Sequence, residues 1–321
     1  MTKFQTWLSG FLLAQLLLAA VLFFSQQQGQ QNPPEALLSF KPEQLDKLVI
    51  SDAKQSVTMT KSGDSWVIPV LKRLPADSVK LTGLLTKLEG LKVGWPVATT
   101  KSSHERFEVA DDKFQRRLQF YQGDKLAGEL FIGTSPGFKK SHVRKPGDDN
   151  VYAVNLSSFE WPVKNEDWLD KTLLAAKDID EIKGPDYVLQ KKDDGWQFAD
   201  DENVQQNAES PASQLNQVKA MELSMALTGL RVLSPVDQLP AGENKTIAVE
   251  VSGPKGNWTY SLVKAGDQYF VSRNDKDVWF SISQLDFDRI AGVDKAQLTL
   301  PAVPVEETND TDKTSENPIS P

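Results

Sequence analysis

The feature that most constrains this chain is that it repeats itself. Ser56-Val57-Thr58-Met59-Thr60-Lys61-Ser62-Gly63-Asp64-Ser65-Trp66 lies opposite Asp186-Tyr187-Val188-Leu189-Gln190-Lys191-Lys192-Asp193-Asp194-Gly195-Trp196. Each is a run of strand formers, a polar turn, and a Trp that opens the next strand, which reads as a β-hairpin. Apolar residues at helical spacing follow in both halves: Leu81, Leu84, Leu85 and Leu88, then Leu223, Ala226, Leu227 and Leu230. Both helices run out in a matching phrase, Leu88-Glu89-Gly90-Leu91-Lys92-Val93 against Leu227-Thr228-Gly229-Leu230-Arg231-Val232. The glycine there suits a helix end that turns left-handed.

Strands are predicted next over 118–121, 127–132, 141–144 and 151–154, and again over 246–251, 258–263, 268–273 and 278–282. A short helical segment closes each half, at 157–161 and 283–290. The offset between copies grows from 130 residues at Trp66 and Trp196 to 139 at Gly90 and Gly229. Residues 200–212, a polar stretch, account for the difference as an inserted loop. With 39% hydrophobic and 25% charged residues, the chain has enough apolar surface to bury a core.

In front of the repeat, residues 7–24 hold no charged side chain. As a helix they would span about 27 Å at roughly 1.5 Å per residue, close to the ~30 Å of a hydrocarbon core. A cleaved signal would have a shorter apolar run and small residues after it, whereas Phe23, Phe24 and Ser25 follow here. Lys3 before the run favours an N-in, C-out anchor. The reading is a single-pass bacterial inner-membrane protein that meets lipid through residues 7–24, with its bulk in the periplasm. The expected fold class is therefore α+β: an N-terminal transmembrane helix, then two tandem repeats of antiparallel sheet plus one long helix. Its parts are an anchor (1–25), a linker (26–44), the repeats (45–170 and 171–301) and a disordered acidic tail (302–321).

The hairpin with Trp66, the helix end from Leu88 to Val93, and Leu130-Phe131-Ile132-Gly133 leading to Val151-Tyr152 resemble the domain-of-unknown-function 4340 family. Phe107-Glu108-Val109 stands where that family shows a Tyr-Gly-Leu-like phrase. The resemblance covers most of the chain and implies a membrane-bound accessory protein. Such proteins are commonly linked with an ABC-type exporter of the gliding-motility auxiliary class. The family defines no catalytic residues, so none carries over.

Chemistry is sparse. The chain has no Cys and only two His, and its net charge is −8. That removes thiolate chemistry and most histidine metal or triad chemistry, and an acidic chain without a basic stripe is no nucleic-acid binder. Gly133-Thr134-Ser135-Pro136-Gly137 matches a nucleophile elbow, but Pro136 has no N–H for an oxyanion, so a turn between strands explains it better. The pairs Asp111-Asp112, Asp148-Asp149 and Asp193-Asp194 lack calcium-loop spacing and read as solvated turns, although sequence does not show which turns meet. No phosphate-binding loop is present. Trp66, Trp196 and Trp279 are expected in the core, while Trp95, Trp161, Trp168 and Trp258 are candidates for a binding surface. Lys139, Lys140, Arg144 and Lys145 cluster around one hairpin as candidate partner contacts. No catalytic, metal or cofactor residues are assigned, and no enzyme activity is expected. An accessory subunit leads, ahead of a small-ligand-binding module and an envelope hydrolase.

Overall fold

The computed structural model describes residues 7, 11–21, 35–193, 195–199, 214–241 and 245–301. It divides into two units, Met1–Lys171 and Thr172–Pro321. Trp7 and residues 11–21 are helical and exposed. Among the described residues no helix is long and apolar enough to cross a membrane. The rest of the expected span, 8–10 and 22–24, lies outside them, as do the tail at 302–321 and the insertion at 200–212.

Unit 1 is built on an eight-stranded antiparallel sheet. Its strands are β2 (Lys47–Ser51), β3 (Ser56–Ser62), β4 (Ser65–Ile68), β5 (Leu74–Pro75), β7 (Arg116–Gln122), β8 (Lys125–Ile132), β9 (Ser141–Arg144) and β10 (Tyr152–Val154). The order is β10-β9-β8-β7-β2-β3-β4-β5. A separate two-stranded ladder joins β1 (Glu35–Ala36) to β6 (Lys92–Val93). Alternation along the strands sets the core: Leu48 and Ile50, Val57 and Met59, Leu118 and Phe120 are all buried. Each such side chain contributes roughly 1.5–3 kcal/mol by leaving water. Helix α1 (Ser78–Glu89) adds Leu81, Leu85 and Leu88, and the short α2 (Ser102–Arg106) carries His104.

Unit 2 repeats the plan with β11 (Glu181–Lys183), β12 (Val188–Lys192), β13 (Gly195–Phe198), β14 (Val232–Val236), β15 (Thr246–Gly253), β16 (Gly256–Ala265), β17 (Gln268–Arg273) and β18 (Trp279–Ile282). Their order is β13-β12-β11-β15-β16-β17-β18-β14. Helix α3 (Gln217–Thr228) lies beside α4 (Gln284–Ala291), which rests against β15 and β17.

The duplication extends to individual hydrogen bonds. The Lys61 N–H donates to the Asp46 carbonyl at 2.7 Å, and the Lys191 N–H to the Asp180 carbonyl at 2.7 Å. Trp66 pairs with Lys61 and Trp196 with Lys191. The Asp77 side chain accepts from the Lys80 N–H and that of Asn216 from the Lys219 N–H, so both helices have side-chain N-caps. Seven strands share one order. Copy 1 adds β5 beyond its hairpin, whereas copy 2 adds β14 beyond its far edge. In copy 1 the counterpart of the β14 pairing shrinks to an isolated bridge, Ala98 to Val151.

Three expectations are corrected. Gly90 and Gly229 end their helices at φ −74° and −98°, so neither uses the left-handed freedom of glycine. Trp161 and Trp168, expected at a surface, are fully buried, and Trp168 Nε1 donates to the Pro162 carbonyl at 2.8 Å. Trp279, expected in the core, is half-buried.

Candidate functional site

The basic hairpin divides in three dimensions. Lys139 and Lys140 stand exposed on the β8–β9 connection and Lys145 is half-buried, but Arg144, the last residue of β9, is only 2% exposed. Its Nη2 lies 2.7 Å from Asp111 Oδ1 and its Nε donates to the Val109 carbonyl at 2.6 Å. The guanidinium also lies over the Phe131 ring, 4.8 Å from the centroid. Arg144 therefore ties loops together and is not presented to a partner.

Copy 2 does the same with Arg273, the last residue of β17. Its Nε and Nη2 reach Asp275 Oδ1 and Oδ2 at 2.6 and 3.0 Å, and Nη2 donates to the Leu173 carbonyl at 3.2 Å. This bidentate contact holds the Asp275 carboxyl below its ordinary range, although burial, the largest influence, acts to raise it. Sequence reasoning missed the pair. The signal was present, because an Arg immediately precedes the charged last turn in each copy.

Around Arg144 the turns that sequence could not bring together do meet. Asp111-Asp112 and Asp148-Asp149 line one cleft of about 430 Å³ with Lys101, His104 and Glu105. His104 Nε2 donates to the Asp149 carbonyl at 3.0 Å. Among the described residues no three His, Asp or Glu side chains converge to hold a metal. Ser135 sits on an exposed turn between two strands, with no helix after it. His142 Nδ1 is instead 2.9 Å from Thr134 Oγ1, and its ring packs on Phe107 with centroids 4.3 Å apart. The cleft can hold positive or polar groups at its rim, but it presents no activated nucleophile.

A family model described as "Domain of unknown function (DUF4340)" matches residues 66–250, more than half of the 321. The chain belongs to that family. No curated protein and no solved structure matches it. The DUF4340 segment begins at Trp66 in the first hairpin and ends inside β15, so it draws on both copies. The cleft, the Lys139–Lys140 tip and α3 all fall within it.

Helix α3 presents another surface in that segment. Its inner face buries Ala220, Leu223, Ala226 and Leu227. Its outer face carries an apolar stripe beside the exposed Lys219–Glu222 ion pair: Val218 is exposed, and Met221 and Met225 are 56% and 57% exposed. Spacing of three and four puts these on one stripe. The equivalent positions of α1, from the shared helix ends, are Val79, Thr82 and Thr86. The same place in the same fold is thus mostly polar in one copy and apolar in the other.

Proposed function

We propose that this chain is a non-enzymatic, membrane-tethered extracytoplasmic accessory protein that docks on a membrane partner, an ABC-type exporter subunit. The observation that carries this reading is the α3 stripe. An apolar stripe on the outer face of a surface helix costs solubility and is retained where something covers it. Copy 1 shows that the fold does not require it, since Thr82 and Thr86 serve there. Methionine side chains suit a partner surface because they adapt their shape to it. Tethering rests on the uncharged run at 7–24, and placement of the bulk in the periplasm rests on Lys3 preceding it.

A photo-crosslinking residue placed singly at Met221, Met225, Thr82 or Thr86 of the full chain in cell membranes tests the docking. The expected result is an adduct at 221 and 225, identified by mass spectrometry as an exporter permease, with none at 82 and 86. Equal labelling at all four positions, or no adduct with a membrane protein, overturns the reading.

A further inference from the structure

Two phenylalanine rings of unit 1 stand almost wholly in solvent, Phe138 at 87% and Phe159 at 89%. A lone exposed apolar side chain is ordinary. Two rings carried on hydrogen-bonded turns at one end of one sheet call for a reason. Phe138 lies in the turn Gly137-Phe138-Lys139-Lys140, closed by the Lys140 N–H donating to the Gly137 carbonyl at 3.2 Å. Lys139 adopts the left-handed region there, at φ 55°. Ser135 Oγ lies 2.7 Å from the carbonyl oxygens of both Gly137 and Lys140. The Gly-Thr-Ser-Pro-Gly sequence is therefore the brace of this tip.

Phe159 rides on the 3-10 turn Ser158–Glu160, closed by a capping box between Ser157 and Glu160. Ser158 Oγ donates to Gln115 Oε1 at 3.1 Å, and Arg116 Nε to the Trp161 carbonyl at 2.7 Å. These bonds fix the turn to the start of β7, where the Gln115 N–H donates to the carbonyl of Ile132 at 3.1 Å. Ile132 ends β8, and the chain runs from it into the Phe138 tip, so both rings belong to one end of the sheet. The Glu160 carboxyl sits below its ordinary range: burial raises it, and the hydrogen bonds from Lys87 and Ser157, with the charges of Lys87 and Lys139, outweigh that. Lys139 thus lies within electrostatic reach of the second tip.

The carboxylates near this end have partners of their own: Glu160 is held by Lys87 at 2.8 Å, and Glu108 accepts from Gln115 Nε2 at 2.8 Å. Lys139 and Lys140 stand exposed at the Phe138 tip. Copy 2 lacks the arrangement: the two-residue turn Gly266-Asp267 joins β16 to β17, and Leu285 stands where Phe159 does.

We propose that this end of unit 1 rests on an anionic bilayer surface. Phe138 and Phe159 enter the boundary between headgroups and acyl chains, and Lys139 and Lys140 meet lipid phosphates. Aromatic rings favour that depth, and neighbouring lysines add attraction to anionic lipid. The occupant rests on the tethered reading above. A tethered chain meets the surface at high effective concentration, so a small patch suffices.

The absence of Cys gives a clean test. Phe138→Cys, Phe159→Cys and Asp124→Cys each create one site for an environment-sensitive dye. Asp124 lies in the turn at the opposite end of β8, about 25 Å away at ~3.3 Å per residue. The full chain is reconstituted in vesicles of phosphatidylglycerol and phosphatidylethanolamine containing spin-labelled lipid. Dyes at 138 and 159 are expected to shift blue and be quenched, while the dye at 124 is not. Replacing Lys139 and Lys140 with Gln should lower the bound-to-free ratio about fivefold for each lysine removed. Unquenched dyes at 138 and 159 on a chain that floats with the vesicles overturn the patch and leave the anchor standing. A chain that does not float overturns the tethered reading and the occupant with it. Shielding of 138 and 159 only when a protein partner is added also overturns the lipid assignment.

Discussion

Arg144 shows how one residue can look available and be committed. Its partners are unequal: the Val109 carbonyl is enclosed, while the Asp111 side chain is 79% exposed. Losing an exposed ion-pair partner costs little, whereas an enclosed carbonyl left without a donor costs about 1–3 kcal/mol. Arg144→Ala is accordingly expected to lower stability by about 2 kcal/mol, and Asp111→Asn by less than ~1 kcal/mol, as read from urea midpoints. Arg273→Ala should behave like Arg144→Ala. Equal losses for Arg144→Ala and Asp111→Asn would show that the ion pair dominates. His142 sets a second expectation. Burial pushes its imidazole below the ordinary value of 6.5, a hydrogen bond to the Thr134 backbone works the other way, and the Arg106 charge adds to the fall. The neutral ring is therefore favoured in the folded chain. Its contribution is complete above pH 6.5 and is lost as pH falls from there through the lower folded value. The drop in stability over that window is expected to shrink in His142→Gln. An imidazole titration by NMR with a midpoint at or above 6.5 would refute the premise.

At the scale of elements, the two copies solve one problem differently. The outer edge of β4 is covered by β5 in copy 1, with the Ala76 N–H donating to the Trp66 carbonyl at 2.8 Å. In copy 2 the side chain of Gln217 takes that place, its Oε1 accepting from the Trp196 N–H at 3.0 Å and its Nε2 donating to the Trp196 carbonyl. A single amide thus blunts an edge that would otherwise invite pairing. Gln217→Ala is expected to speed exchange of the Trp196 amide by tenfold or more with little change in global stability, measured by hydrogen exchange of the full chain. Unchanged protection would assign that amide another cover. The connection from hairpin to helix runs over residues 69–77 in copy 1 and 199–216 in copy 2. Doubling a loop costs only about 0.6 kcal/mol in closure entropy, which is why the longer form is tolerated. The elements themselves were legible: β9 and β17 fall on 141–144 and 268–273, the bounds expected from the sequence. Edge covers were not legible, because an amide that imitates a strand leaves no periodic trace.

For the whole molecule, the repeat was readable because hairpin, helix and meander each follow local rules. The cleft was not, since it depends on distant segments meeting, whereas the α3 stripe lies within one helix and was overlooked beside that helix's buried face. Trp161 and Trp168 carried no sign of burial, and the turns at Asp111 and Asp148 converge only through the sheet. The strand order has a further consequence. Among the described residues, β2–β7 is the one ladder of the unit 1 sheet that joins strands distant in the chain; unit 2 needs two, β11–β15 and β14–β18. Contacts between distant segments slow folding, because loop closure precedes their reward. In pulse-labelled refolding of the full chain, amides of β7, β8 and β9 are therefore expected to gain protection before those of β14. Simultaneous protection would point to a single cooperative step instead. During synthesis the C-terminal copy would then be the slower to mature, with the open side of β18 as the surface through which unfinished chains could aggregate.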